Sequence, residues 1–219
     1  MNWIPPKDAL FPLLGHDIKK HEFVPVVVQE NERYSMQTNE DLAACIEDQI
    51  KSQEGQWGYG GYLEERNIYR RSAHFDGSDD EVRSIHLGLD IWGPAGTRVF
   101  TPMTAVIHSF QYNADPFDYG ATIILEHEWN GVFFYSLYGH LSREDLKGIK
   151  VGDQLEKGSP FCHFGSEEDN GGWVPHLHFQ LILEIGTYKG DYPGVVKPSE
   201  KEYYANNCPD PSLLWRTHE

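Results

Sequence analysis

Three short pieces of the chain carry side chains that ligate metals or move protons: His86-Leu87-Gly88-Leu89-Asp90, Tyr138-Gly139-His140-Leu141 and His176-Leu177-His178. From Ile85 to Ile91 the odd-numbered residues are apolar and the even-numbered ones polar or Gly, a period of two that predicts a half-buried β-strand. His86 and Asp90 then project from one face, about 13 Å apart along a straight strand at roughly 3.3 Å per residue. Gly88 between them has no side chain, which leaves space for an ion reached from both sides. The same spacing would also pair the two residues on a helix. The internal Gly and the turn Gly93-Pro94-Ala95-Gly96 weigh against that.

The third piece repeats the pattern, with His176, His178 and Gln180 on one strand face and Leu177, Phe179, Leu181 and Leu183 behind it. His140 follows the apolar run Val132-Phe133-Phe134-Tyr135-Ser136-Leu137 and stands at that strand's end, where active-site groups emerge into loops. Taken singly these signals are weak, because a lone His is more often structural and an HxH arises readily by chance. Their joint occurrence in this order, each on a strand, points to a hydrolase that uses Zn2+.

The order HxxxD, Tyr-x-His-Leu, HxH, with Gly96-Thr97-Arg98-Val99 after the first motif and Pro175-His176-Leu177-His178-Phe179 at the last, resembles the M23 (LytM or lysostaphin-like) zinc metallopeptidases. The resemblance runs from about Ser84 to Leu183, and Lys150-Val151-Gly152-Asp153-Gln154-Leu155 is similar to that family's Val-Gly-Asp turn. It implies that His86, Asp90 and His178 bind zinc and that His140 and His176 are the catalytic histidines. One departure is Gly120-Ala121, where family members commonly carry Gly-Asn. Two neutral imidazoles and a carboxylate leave zinc a net positive charge and an open position for water, whose pKa zinc lowers from 15.7 to roughly 7. One of His140 and His176 would then move the proton to the leaving amine while the other, protonated, steadies the oxyanion.

Composition limits the substrate. The 219 residues include 34 Asp and Glu against 18 Lys and Arg, a net charge of -16. That balance argues against nucleic acid, anionic wall polymers and membrane surfaces as partners. Met1-Asn2-Trp3-Ile4-Pro5-Pro6-Lys7-Asp8 lacks a basic segment followed by an apolar one, and no run reaches membrane-spanning length, so a cytoplasmic location is expected. Cys45, Cys162 and Cys208 are odd in number and widely spaced, and read as reduced or buried thiols. Cys162-His163 reads as ordinary strand sequence rather than a second metal site.

Upstream of the motifs, Val24-Pro25-Val26-Val27-Val28 predicts a short strand. Thr38 or Asn39 then caps a helix with Leu42, Ile46 and Ile50 on one side. Gly60 to Arg71 resembles the lead-in to M23 domains of certain multidomain proteins. There Arg66, Arg70, Arg71 or Arg83 could meet a substrate carboxylate, but ion pairs with Glu64, Glu65, Asp79 or Asp80 are the favoured reading in so acidic a chain. His16, His21, His74, His108, His127 and His218 match no motif and read as structural or surface residues, and Trp57, Tyr59 and Tyr62 as packing residues. Residues 188–204 read as a long loop, and Cys208 to Trp215 as a turn leading to an apolar anchor.

The expected fold is mainly β, an antiparallel two-sheet LytM/lysostaphin-like architecture. Residues 1–65 form an N-terminal extension with a short helix packed on the core, and 66–219 form the M23-like domain. The expected function is zinc-dependent cleavage of amide bonds in short or peptidoglycan-type peptides. The alternatives are a non-catalytic LytM-like binding module, which the five filled positions disfavour, and a cytoplasmic hydrolase of a small amide metabolite.

Overall fold

Runs of β-branched and aromatic residues between Ala105 and Leu141 fold into the long strands β6 (Ala105–Asn113), β7 (Gly120–Trp129) and β8 (Val132–Leu141). Asn130 and Gly131, both at positive φ, close the β7–β8 hairpin as a two-residue turn whose twist matches its strands. The computed structural model describes residues 4–15, 18–71 and 81–215. Among the remaining strands are β1 (Phe23–Pro25), β2 (Trp57–Gly60), β4 (Leu89–Trp92), β9 (Gln154–Leu155) and β11 (His176–Ile182). Together with the hairpins they build an eight-stranded sheet in the order β1-β2-β4-β11-β8-β7-β6-β9. It is antiparallel apart from the β1–β2 pair. Two ribbons accompany it, β3 (Ile85–His86) with β12 (Val195–Val196), and β5 (Arg98–Phe100) with β10 (Pro160–His163).

Both faces of the large sheet are covered, which is why β11, between β4 and β8, is buried at all seven positions. Ile91, Ile123, Leu125, Phe134, Tyr138, Leu177, Phe179 and Leu181 pack on one face with Val99, Cys162, Leu10, Leu13 and Leu214. Ile124, Leu137 and Ile182 face the other way, against Ile85, Val196 and Cys208. Helix α1 (Asn39–Ser52) lays Leu42, Cys45 and Ile46 into a third cluster with Tyr69, Trp92 and Trp173. Thr38 caps it, its side chain accepting from the Asp41 N–H.

The mainly β, antiparallel character and the α1 assignment match the expectation from sequence. Two local readings differ. The stretch 85–91 is two strands rather than one, and it is wholly buried rather than half-buried. β3 leaves the large sheet to pair with β12, which lies inside the segment read as a loop together with the start of helix α2 (Lys201–Asn207). A Gly-, Pro- and charge-rich sequence hid these short elements because β12 is a two-residue strand held by its partner rather than by its own pattern. The three cysteines are buried and free. No helix among the described residues is long and apolar enough to cross a membrane.

His127 illustrates how the core treats a titratable group. Its ring lies 5.1 Å from that of Phe134, its Nδ1–H is directed at the Thr104 carbonyl, and its Nε2 contacts Ser136 Oγ at 2.6 Å. Burial pushes its pKa down to about 4 from 6.5. The unfolded chain therefore binds the extra proton between those values, and stability falls as pH falls through that window. From pH 7 to pH 5 this one residue costs about 2 kcal/mol. His127→Gln should reduce the pH-dependent drop in unfolding free energy by about that amount in urea titrations at the two pH values. An unchanged drop would mean that His127 does not carry it.

Candidate metal centre and cleft

The break between β3 and β4 brings the first motif's two polar residues together. A straight strand would hold them far apart, whereas the turn at Leu87-Gly88 leaves His86 Nε2 3.3 Å from Asp90 Oδ1. The third member arrives across the sheet, because His178 on β11 is registered opposite Asp90 on β4 and Gly139 on β8. His178 Nδ1 lies 3.3 Å from the same Asp90 Oδ1 and 2.9 Å from His86 Nε2. A Cβ at Gly88 would overlap the His178 imidazole, so the bare backbone there admits that ring. One atom from each of the three residues falls within a group whose members are all within 4.8 Å of one another.

The hydrogen bonds behind the rings fix where the protons sit. His86 Nδ1 is 3.0 Å from the Gly61 carbonyl, which only accepts, so Nδ1 carries the hydrogen and Nε2 presents a lone pair. His178 Nε2 is 2.9 Å from Gln180 Oε1. The Gln180 amide nitrogen donates to the Pro193 carbonyl, which fixes the amide's orientation, so His178 Nδ1 is likewise the bare nitrogen of the neutral ring. Asp90 Oδ1 has no hydrogen-bond partner among the described residues. Three electron-rich atoms thus converge in a buried space with no proton between them, a donor set suited to a divalent cation.

The electrostatics keep these groups in ligand form. Burial lowers the His86 pKa to about 4. Burial also opposes ionisation of Asp90, but the adjacent His86 and Arg66 outweigh it and hold that carboxyl well below the usual carboxylate range. Arg66 Nη1 donates to Asp90 Oδ2 at 2.6 Å, leaving Oδ1 facing the imidazoles.

His140 and His176 stand beside this group, their rings 4.2 Å apart. His140 occupies the left-handed region at φ 62, a strained conformation for a residue with a Cβ, typical of functional positions. Its backbone is held there by bonds to Tyr119 and Gly165, and its Nδ1–H by the Asn170 carbonyl at 2.8 Å. His176 Nδ1–H is directed at the Val174 carbonyl at 2.7 Å, and its Nε2 lies 3.8 Å from Asp90 Oδ1. Both rings therefore present an unprotonated Nε2. Burial, reinforced by the neighbouring His176 and His178, keeps His140 neutral well below its ordinary pKa, and burial lowers that of His176.

The five residues line a cavity of about 300 Å³. Its walls include Tyr69, Trp92, Phe117, Tyr119 and Trp173, with Arg83, Asp118 and Asp191 among its charged residues. Several contributors were missed in the sequence. Asn170 is fully buried and pins the loop before β11 through bonds to Gly172 and Trp173 while its carbonyl orients His140. Tyr119 Oη lies 3.4 Å from His178 Nε2, and burial keeps the phenol protonated. Neither residue sits in a motif, and a lone Asn or Tyr in a loop carries no periodic signal. Trp57, Tyr59 and Tyr62 pack elsewhere, as expected. Arg66 pairs with Glu64, as the ion-pair reading held, and also with Asp90, which it did not foresee. His16, His74, His218, Asp79, Asp80 and the side chains of Arg70 and Arg71 lie outside the described residues.

The family description Peptidase family M23 matches residues 84–189. Nothing matches among curated proteins. Among solved structures, a zinc-containing peptidase from Vibrio cholerae is 25% identical at a TM-score of 0.36, covering 45% of this chain and 27% of its own. The catalytic domain of lysostaphin from Staphylococcus simulans is 25% identical at 0.39, covering 55% and 80%. LytU is 24% identical at 0.38, covering 67% and 85%. The chain thus spans about a quarter of the Vibrio protein and most of the other two. The segment 84–189, which matches peptidase family M23, contains all five clustered His and Asp residues.

Proposed function

We propose that the protein is a zinc-dependent peptidase in which His86 Nε2, Asp90 Oδ1 and His178 Nδ1 hold the ion. The observation that carries this reading is the buried convergence of two imidazole lone pairs and an unpartnered carboxylate oxygen. Without a cation that arrangement is repulsive. Zinc bound there supplies Lewis acidity toward a substrate carbonyl and acidifies water.

The chain's own groups do the rest. His140 and His176 are both neutral with Nε2 free, so either can accept the proton of the attacking water. The same pair returns a proton to the departing amine. Backbone carbonyls behind each Nδ1 hold the rings in the tautomer this needs. Tyr119, kept protonated by burial, lines the same cleft with its hydroxyl donating to Gln180 Oε1 at 3.5 Å, beside the His178 ring. The substrate class is a peptide, consistent with the family.

A second reading, hydrolysis of a small amide, is favoured by one feature. Val28, Leu42, Ile68 and Tyr69, all upstream of the M23 segment, line the cavity, and the Asn39 side chain at the start of α1 donates to the Gly172 carbonyl. Such walls suit a compact substrate. Comparing kcat/KM on intact peptidoglycan, on its released peptides and on a panel of small amides separates the two.

His86→Ala and Asp90→Ala should purify without zinc and without activity. His140→Ala should retain stoichiometric zinc and lose about 10²- to 10⁴-fold in kcat. Full turnover by metal-free His86→Ala would exclude the mechanism. Gly88→Ala, whose Cβ meets the His178 ring, should cost about 1–3 kcal/mol in unfolding free energy and lower the zinc content measured by elemental analysis. A variant with wild-type stability and zinc would mean that the ring tolerates displacement.

A further inference from the structure

Two of the three ligands proposed above are oriented by residues that precede the M23 segment. Residues 61–66 run antiparallel to β3, tied to it by Leu63 N–H to His86 O at 2.8 Å, His86 N–H to Glu64 O at 3.0 Å and Arg66 N–H to Ser84 O at 2.8 Å. From that rigid edge the Gly61 carbonyl takes the His86 Nδ1–H, and Arg66 takes Asp90 Oδ2. Arg66 is fixed in turn. Its Nε donates to Glu64 Oε2 at 2.6 Å, while Glu64 Oε1 accepts the Val28 N–H at 3.0 Å. The side chains of Arg66, Glu64 and Asp90 are 5%, 12% and 3% exposed.

We propose that Arg66, held by Glu64, is a positioning residue for the metal centre: it locks the Asp90 carboxylate so that Oδ1 alone faces His86 and His178. This rests on the zinc reading above. Arg66 is not placed to bind a substrate carboxylate. Nε and Nη1 are engaged by Glu64, Asp90 and Tyr69, and Nη2 is buried against Gly61, where a Cβ would overlap it. The alternative is an ion pair that merely fastens residues 61–66 to β4. The two roles differ in what they do to metal affinity. A fastening pair affects folding and leaves affinity in the folded protein unchanged. A positioning pair affects affinity directly, because an unlocked carboxylate can rotate away from the imidazoles.

Charge and orientation can be separated by sign. Removing the Arg66 cation alone would by simple electrostatics strengthen the pull on a dication. Removing Glu64 and Arg66 together leaves the net charge nearly unchanged and isolates orientation. The test uses the full chain as wild type, Arg66→Lys and the double variant Glu64→Gln/Arg66→Gln. Zinc affinity is read by competition with a chromophoric chelator, and site geometry by the visible bands of the cobalt-loaded protein. The expected result is a loss of about 10- to 100-fold in zinc affinity for the double variant, with altered cobalt bands. Arg66→Lys should fall between the double variant and wild type, since one ammonium donor can still reach Oδ2. Unchanged affinity and bands in either folded variant would overturn the proposal. Should the double variant fail to fold, Arg66→Lys, which keeps the buried charge, decides alone. A wild-type protein that takes up no zinc would instead defeat the metal reading itself.

Discussion

A carboxylate oxygen and two imidazole lone pairs pressed together out of water are the constraint around which this molecule is arranged. Each is costly to desolvate and they repel one another. They stay together because every atom behind them is spoken for: Gly61 O behind His86, Gln180 behind His178 and Arg66 behind Asp90. The sheet supplies the register that makes this possible, with Asp90 on β4 directly opposite His178 on β11. A slip of one residue would send His178 into the apolar layer with Leu177 and Phe179.

The closeness of the rings depends equally on side chains that are absent. Gly88 admits the His178 imidazole, Gly194 admits the Tyr119 hydroxyl, and a Cβ at Gly139 would come within 2.6 Å of the Tyr119 ring. His140 carries the complementary burden, a positive φ held in place by backbone bonds on both sides. The site is thus built from close approach of rings to bare backbone, an economy of volume that leaves little room for drift.

What could be read from the sequence divides along the same physical line. His86, Asp90, His140, His176 and His178 were legible because strands alternate and their motifs have fixed spacing. The mainly β class and the helix after Thr38 were legible for the same reason of periodicity. The partners that hold those residues were not. Asn170, Gln180 and Arg66 act through distances of 30, 2 and 24 residues to His140, His178 and Asp90, and only the middle one lies within a repeating pattern. The break at Leu87-Gly88 was hidden because alternation persists across it. A strand that turns keeps its sequence period while changing its neighbour.

The strand order has a consequence for how the chain reaches this state. β11 is the last long strand in the sequence, yet it lies between β4 and β8 in the sheet. Until it inserts, β4 and β8 are both open edges, each offering unpaired backbone groups to any extended chain. Closing them requires contacts spanning 39 to 90 residues, the slow, non-local kind. The two halves of the site therefore lie far apart along the chain, and any state that lacks β11 exposes two strand edges, the condition in which self-association competes with folding.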